Sequence, residues 1–386
     1  MYRNIKLLAL FNFFTDLKFH SAVLVLYFAH VTGSYALAMS LFSVTMASSA
    51  LFEVPTGIFS DLIGRKKTVM AGALFATLSA IFFAIGGNYW ILCIGAIFEG
   101  ISRSWYSGNN EALLHDSVSE MNNSKSYAHY LGKTSAMFQL ALMMGAVIGS
   151  ILAQWSFALI MWLSVIPQIL CVILSFFLID PSRFIKGKTN IFSHIKISAL
   201  HLWNNKKLRF LSIQNILSYS IGESSFNFSA AFIATLWPIW AIGFSKMISY
   251  GGSALSFWFS GKFIRRVGEY NILIIANIYT RIANFISYGL PTLFSPVLMA
   301  SSSIFYGATS VAKSSLMQKE YTQEQRATLE SMNSFFGNIS FALFSPLLGV
   351  IADTFGPAKA LIFVQVCMLS VLAINFKLKK MDTSNI

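Results

Sequence analysis

Apolar positions along this chain come in long, nearly continuous runs. One helical crossing of a bilayer's hydrocarbon core needs roughly 20 mainly apolar residues. Twelve stretches meet that requirement: 5–30, 35–59, 68–87, 89–112, 127–153, 156–179, 208–232, 238–262, 271–290, 294–317, 328–352 and 358–377. The runs are continuous rather than alternating, so the pattern predicts helices and not the strands of a membrane barrel. One long polar connection, Asp180 to Lys207, leaves six runs on each side.

Composition sharpens the class. Of 386 residues, 55% are hydrophobic and 11% charged, whereas soluble proteins give about a quarter of positions to Asp, Glu, Lys and Arg. That is too little charge to cover a water-facing surface, which excludes soluble enzymes, nucleic-acid binders and disulfide scaffolds. The net charge of +13 sits in short clusters between apolar runs, as at Arg65-Lys66-Lys67 and Arg265-Arg266. This is the loop bias that orients polytopic membrane proteins. With both termini inside, 22 of the 28 Lys and Arg fall in or beside inner segments and two, Lys246 and Lys359, in outer ones. The remaining four, Lys18, Arg103, Lys133 and Arg281, lie within runs. Cytoplasmic termini are therefore expected. High Asn, Ile and Lys usage points to an AT-rich bacterial genome and so to a bacterial cytoplasmic membrane. Arg3 and Lys6 precede the first run, but Asp16 lies inside it and no small-residue cleavage site follows, so it reads as a retained span. Cys93, Cys171 and Cys367 all fall in apolar runs and read as small buried hydrophobes. No metal or cofactor is expected.

The halves repeat. Gly57-x3-Asp61-x2-Gly64-Arg65-Lys66-Lys67 follows the second run, and Gly261-x3-Arg265-x2-Gly268 follows the eighth, 204 residues later. Together with the six-plus-six layout this predicts an all-α membrane protein of twelve transmembrane helices in two pseudo-symmetric six-helix bundles. The expected division is 1–180, a cytoplasmic linker 181–207, and 208–386.

The first of these loops closely resembles the loop 2–3 signature of the major facilitator superfamily, departing from it at Leu62, where the family often has a basic residue. Glu53-Val54-Pro55-Thr56-Gly57, the stretch from Ser107-Gly108 through Glu111 to Asp116-Ser117, and Arg326-Ala327-Thr328 are similar to a large group of bacterial members, drug-efflux-like proteins and uncharacterised permeases. The resemblance implies the major facilitator fold and alternating access, in which two bundles rock about a central cavity. It also implies a conformational latch at Asp61. From the residues themselves, Gly57 and Gly64 allow close approach and a tight turn. Asp61 can cap a helix N-terminus or pair with a cation, and Arg65, Lys66 and Lys67 can hold lipid headgroups. Glu53, Glu111, His115 and Asp116 cluster near the inner ends of spans two and four and read as a cytoplasmic gate.

Charges deep within spans cost on the order of 2.5–3.5 kcal/mol each on insertion scales, so they should face the bundle interior. Asn12, Asp16 and His20 recur at i, i+4, i+8 and would share one face of a continuous helix. Lys18 would lie off that face. Glu99 and Arg103 form an i, i+4 pair in span four. Glu223 sits mid-span in span seven beside a polar stripe of Gln214, Ser218, Gly222, Ser225 and Ser229. Tyr219, Asn227, Phe226 and Tyr306 are candidate cavity-lining residues, and Arg281 reads as structural. The expected function is a monomeric secondary transporter exporting a small amphipathic solute, with protons as coupling ion and Asp16, Glu99 and Glu223 as carriers. Span five carries Gly145-x3-Gly149 but has Ser150 and Ala136 where the resembled antiporters have proline and glycine, which weakens that signature. Expected apolar cavity faces disfavour a sugar cargo. The alternatives are a proton-coupled uptake symporter and a non-transporting receptor or assembly factor. No phosphate loop, metal spacing or nucleophile constellation supports an enzyme.

Overall fold

A computed structural model describes residues 2–107, 109–120, 127–180, 191–322 and 325–383; some side chains inside helices, those of 57–63, 111 and 191–196 among them, fall outside the description. The first predicted crossing is two helices, α1 (Tyr2–Asp16) and α2 (Leu24–Thr32), and not one. Then follow α3 (Tyr35–Ile63), α4 (Arg65–Ile85), α5 (Tyr89–Tyr106), α6 (Asn109–Glu120), α7 (Tyr127–Ala153) and α8 (Phe157–Phe176). The linker contains α9 (Ile191–Asn204). Beyond it lie α10 (Lys206–Ile233), α11 (Ile239–Val267), α12 (Glu269–Gly289), α13 (Ser295–Ser301), a 3-10 turn over Ser302–Phe305, α14 (Tyr306–Glu320), α15 (Arg326–Phe355) and α16 (Pro357–Thr383). Every predicted run is thus helical, and there is no strand among the described residues. Spans one, four and ten are each built from more than one helix. By length and composition alone, six stretches of described helix are apolar enough to cross a membrane. The other predicted crossings carry interior charge or a break, as with Asp16 in the first and Glu223 in the seventh.

The chain forms two compact units, Met1–Gly187 with Pro238–Met247, and Lys188–Trp237 with Ile248–Ile386. In the first, α5 packs between α3 and α4, and α1 lies against α6, α7 and α8. Ile5, Leu8 and Phe11 of α1 meet Val69 and Ala73 of α4, Leu113 and Leu114 of α6, and Cys171 of α8 in one buried cluster. In the second, α10 packs on α15 and α16, and α12 on α14 and α16. Leu208, Leu211, Ile272, Leu273, Ala312, Leu329 and Leu378 form its buried cluster. Large apolar side chains such as Trp90, Trp155, Leu343 and Trp258 are left exposed, as a protein with lipid for solvent requires.

Local chemistry secures the helix ends. Gly64 and Gly268, the matching positions of the repeated loop, have φ of 95° and 88° and stand as the N-caps of α4 and α12. Side chains rarely adopt that backbone, so glycine permits the abrupt turn into the next helix. Asp180 accepts the backbone N–H of Lys66 at 2.7 Å, placing a carboxylate on the positive end of α4. In the second unit Lys207 bridges Glu320 at 3.2 Å and Asp382 at 2.9 Å, tying α10 to α14 and α16.

Candidate functional site

The interruption of the first crossing builds the site. α1 ends at Asp16, and the chain turns through residues 17–23 before α2 begins. Nothing in Thr15-Asp16-Leu17-Lys18-Phe19-His20 is a strong helix breaker, so partners from other helices must support the open backbone. The carboxamide of Gln168, buried in α8, donates to the carbonyls of Phe14 and Thr15, each at 3.3 Å. Those are helix-end acceptors that would otherwise go unpaired in a membrane interior. Thr15 Oγ1 donates to the Phe11 carbonyl at 2.8 Å. On the other side the segment rests on α7, where a Cβ at Gly145 would stand 3.0 Å from the Lys18 carbonyl oxygen. The Phe19 carbonyl fills the space of a side chain at Gly149 outright. The Gly145-x3-Gly149 pair therefore seats the unwound part of span one.

The break turns Lys18 inward. Its Nζ donates to Glu99 Oε1 at 2.6 Å, and the Nε of Arg103 lies 3.5 Å from the same oxygen. Glu99 is 14% exposed and Lys18 23%, so little water screens the pair. Both open onto a cavity of about 310 Å³, lined also by Asn12, Thr15, Asp16, Ala76, Ser102, Arg103, Tyr106, Ser107, Asn110 and Gln168. Ala76 and the ring of Tyr106 stand among polar side chains, so the cavity's lining is mixed. Asn110 Nδ2 is 3.5 Å from Asn12 Oδ1. The carboxylate of Asp16 lines the cavity and makes no hydrogen bond or ion pair among the described residues. A hydrated polar cavity is where a membrane protein can keep such a group.

Of the sequence candidates, Asn12, Asp16, Glu99 and Arg103 thus come together. His20 does not join them. Because the helix stops at Asp16, the i+8 relation fails, and His20 is buried with its ring edge-on to Phe83. Lys18, expected off the Asp16 face and to pair elsewhere, is the close partner of Glu99. Thr15, Tyr106, Asn110 and Gln168 went unrecognised in the sequence; a lone glutamine inside the apolar run of α8 was the available signal.

The second unit holds the other candidates. Glu223 is half-buried in α10 and makes no hydrogen bond or ion pair among the described residues. Tyr219 donates its hydroxyl to Asn338 Oδ1 of α15 at 3.1 Å. Asn227 is half-buried. Arg281 is buried, with Nε and Nη1 unpartnered.

The gate candidates in the first unit also gather. Arg65 Nη1 donates to Asn109 Oδ1 at 3.0 Å, and its Nε is 3.9 Å from Asp116 Oδ2. Lys66 Nζ donates to the Phe176 carbonyl at 2.8 Å. His115 Nδ1 lies 3.5 Å from Asp116 Oδ1. Glu53 is partly buried in the C-terminal half of α3. The side chains expected to complete the latch, Asp61 and Glu111, and the position of Gly57 lie outside the side-chain description.

With a duplicated loop, helical crossings and a polar interior cavity established, the comparison with known families is decisive. The family model described as Major Facilitator Superfamily matches residues 7–345. The chain belongs to the major facilitator superfamily. It is 29% identical over 164 residues to an uncharacterized transporter of Buchnera aphidicola, covering 42% of this chain and 40% of that one. It is 27% identical over 128 residues to the tetracycline resistance protein, class E, of Escherichia coli, covering 33% of this chain and 30% of that protein. The chain thus spans less than half the length of these two relatives. A crystal structure of the nucleoside transporter NupG superposes with a TM-score of 0.80 at 15% identity, covering 98% of this chain and 99% of that one. The likeness establishes the fold: a multi-pass, all-α transporter architecture of the major facilitator type. Family and neighbours alike are transporters.

Proposed function

We propose that this member of the superfamily is a secondary active transporter that exports a small organic solute in exchange for protons. In this reading residues 1–180 and 208–386 form the two moving bundles and 181–207 links them on the cytoplasmic side. The protein works as a monomer in a bacterial cytoplasmic membrane, both termini inside. The observation that carries the proposal is the unpaired Asp16 carboxylate at the end of a broken helix, lining a cavity with the Lys18–Glu99–Arg103 cluster. Discontinuous helices that expose backbone and charge within the membrane are a recurrent device of solute sites. A carboxylate with no fixed partner can take either a proton or a cationic group of the cargo, and competition between the two couples their fluxes. The partial likeness to a tetracycline resistance protein favours export. The mixed lining, apolar surface set among hydrogen-bonding side chains, favours an amphipathic solute over a purely apolar one. Glu223, also unpaired, serves as the corresponding carboxylate of the second bundle, with Tyr219 and Asn227 beside it on α10.

The test is solute flux in proteoliposomes under an imposed proton gradient. Flux should collapse with the gradient, and Asp16→Asn or Glu223→Gln should abolish gradient-driven flux while leaving solute binding measurable. Co-directional movement of proton and solute would replace export by uptake symport. If both variants keep full gradient-driven flux, the carboxylates are structural.

A further inference from the structure

Helix α9, in the segment between the two sets of crossings, has one satisfied face and one that is not. Its side chains are described from Ile197 onward. Ser198 is fully buried, and Leu202 packs against the Leu208 and Leu211 cluster. Nε2 of His201 is 3.2 Å from the Glu320 carbonyl oxygen, and Asn205, just past the helix, donates Nδ2 to Glu320 Oε2 at 3.0 Å. Asn205 Oδ1 also accepts the N–H of Leu208 at 3.0 Å, capping α10. These contacts hold α9 against the start of a membrane span.

The opposite face is open and mainly apolar, with the exposed Asn204 on the same arc. Ile197, Leu200 and Trp203 recur every third residue on one arc of the helix and are 50%, 53% and 72% exposed. Cations flank it along the sequence. Between 181 and 222 there is no Asp or Glu, and Arg183, Lys186, Lys188, Lys196, Lys206, Lys207 and Arg209 all fall there. Lys207 is used internally by Glu320 and Asp382. Arg209 instead lies over the Trp203 ring, 5.7 Å from its centroid, and donates to the Trp203 carbonyl at 3.3 Å. An aromatic ring with a guanidinium on it, at the edge of an apolar arc, suits the boundary between acyl chains and headgroups.

We infer that α9 is an interfacial helix that docks on the bilayer leaflet at the linker side and requires anionic phospholipid there. Ile197, Leu200 and Trp203 enter the acyl boundary, and Lys206 and Arg209 meet lipid phosphates. The charge complementarity selects this occupant over a protein surface. A stretch of sequence with seven cations, Lys207 alone spent on Glu320 and Asp382 among those described, and no acid has little to offer a general protein partner and much to offer phosphatidylglycerol. The helix would then fix the first turn of α10 relative to the membrane plane.

The experiment uses the full chain with Leu200→Cys as the one reactive cysteine, spin-labelled and reconstituted in nanodiscs. The discs contain phosphatidylcholine alone, or phosphatidylcholine with phosphatidylglycerol. The expected result is a label several-fold more accessible to oxygen than to a water-soluble nickel chelate when phosphatidylglycerol is present. That ratio should fall in pure phosphatidylcholine and in Arg209→Gln with Lys206→Gln. A label equally exposed to the nickel chelate in both lipids overturns the inference. So does one shielded from both reagents, or dipolar-broadened by a second copy, since either means that protein covers the face. Trp203→Cys, read the same way, guards against a local defect at position 200.

Discussion

The backbone carbonyl of Phe19 occupies the space that a side chain at Gly149 would need. This one contact joins the non-helical stretch of span one to a glycine of span five. It also sets where Lys18, the preceding residue, can send its ammonium group: to Glu99, 2.6 Å away. A position that the sequence resemblance sets within an antiporter motif has a plain steric task here. Ser150, which follows, turns its hydroxyl to the Trp240 carbonyl at 3.0 Å and accepts the N–H of Gly243 at 3.1 Å, all within the first compact unit.

Gly149→Ala should therefore be far more damaging than Gly145→Ala. The added methyl at 149 must displace backbone, an overpacking that costs about 1–3 kcal/mol. At 145 the nearest atom stands 3.0 Å away and a shift of a few tenths of an ångström suffices. Thermal unfolding of the purified proteins in detergent compares the two. Equal stability of the variants would mean that the unwound segment is not seated on Gly149.

Glu99 and Lys18 should be energetically coupled. Glu99→Gln leaves Lys18 without its close anion in a poorly hydrated site, and Lys18→Met leaves Glu99 with the more distant Arg103, 3.5 Å away. Each single change is expected to destabilise by about 2 kcal/mol or more, and the double variant by less than their sum. Strict additivity in a double-mutant cycle would show that the 2.6 Å contact contributes nothing specific.

Asp61→Asn should leave expression and solute binding nearly intact while slowing transport at least tenfold. The basis is the loop signature Gly57-Ile-Phe-Ser-Asp61-Leu-Ile-Gly64-Arg65-Lys66 and the expectation that its carboxylate holds one conformer only; a group that stabilises one of two states shifts their balance. Flux in proteoliposomes against a binding isotherm separates the two effects. Undiminished flux would leave the loop with a topological role alone.

Apolar run length, the scarcity of charge and the clustering of cations determined, from sequence alone, that this is a helical, multi-pass membrane protein. Those are additive properties of local composition, and the bilayer reads them one segment at a time. The duplicated loop was legible for a similar reason: Gly64 and Gly268 answer a backbone demand that no other residue meets easily, so the need leaves its mark at a single position. The break after Asp16 left no such mark. Thr15 to His20 contains neither glycine nor proline, and what supports the open backbone is Gln168 from α8 and the glycine face of α7, each more than a hundred residues away. Periodicity assumes a continuous helix, so it put His20 with Asp16 and sent Lys18 elsewhere. Only the tertiary structure could reverse that pairing, because the direction of a side chain beyond a helix end depends on the partners packed around it.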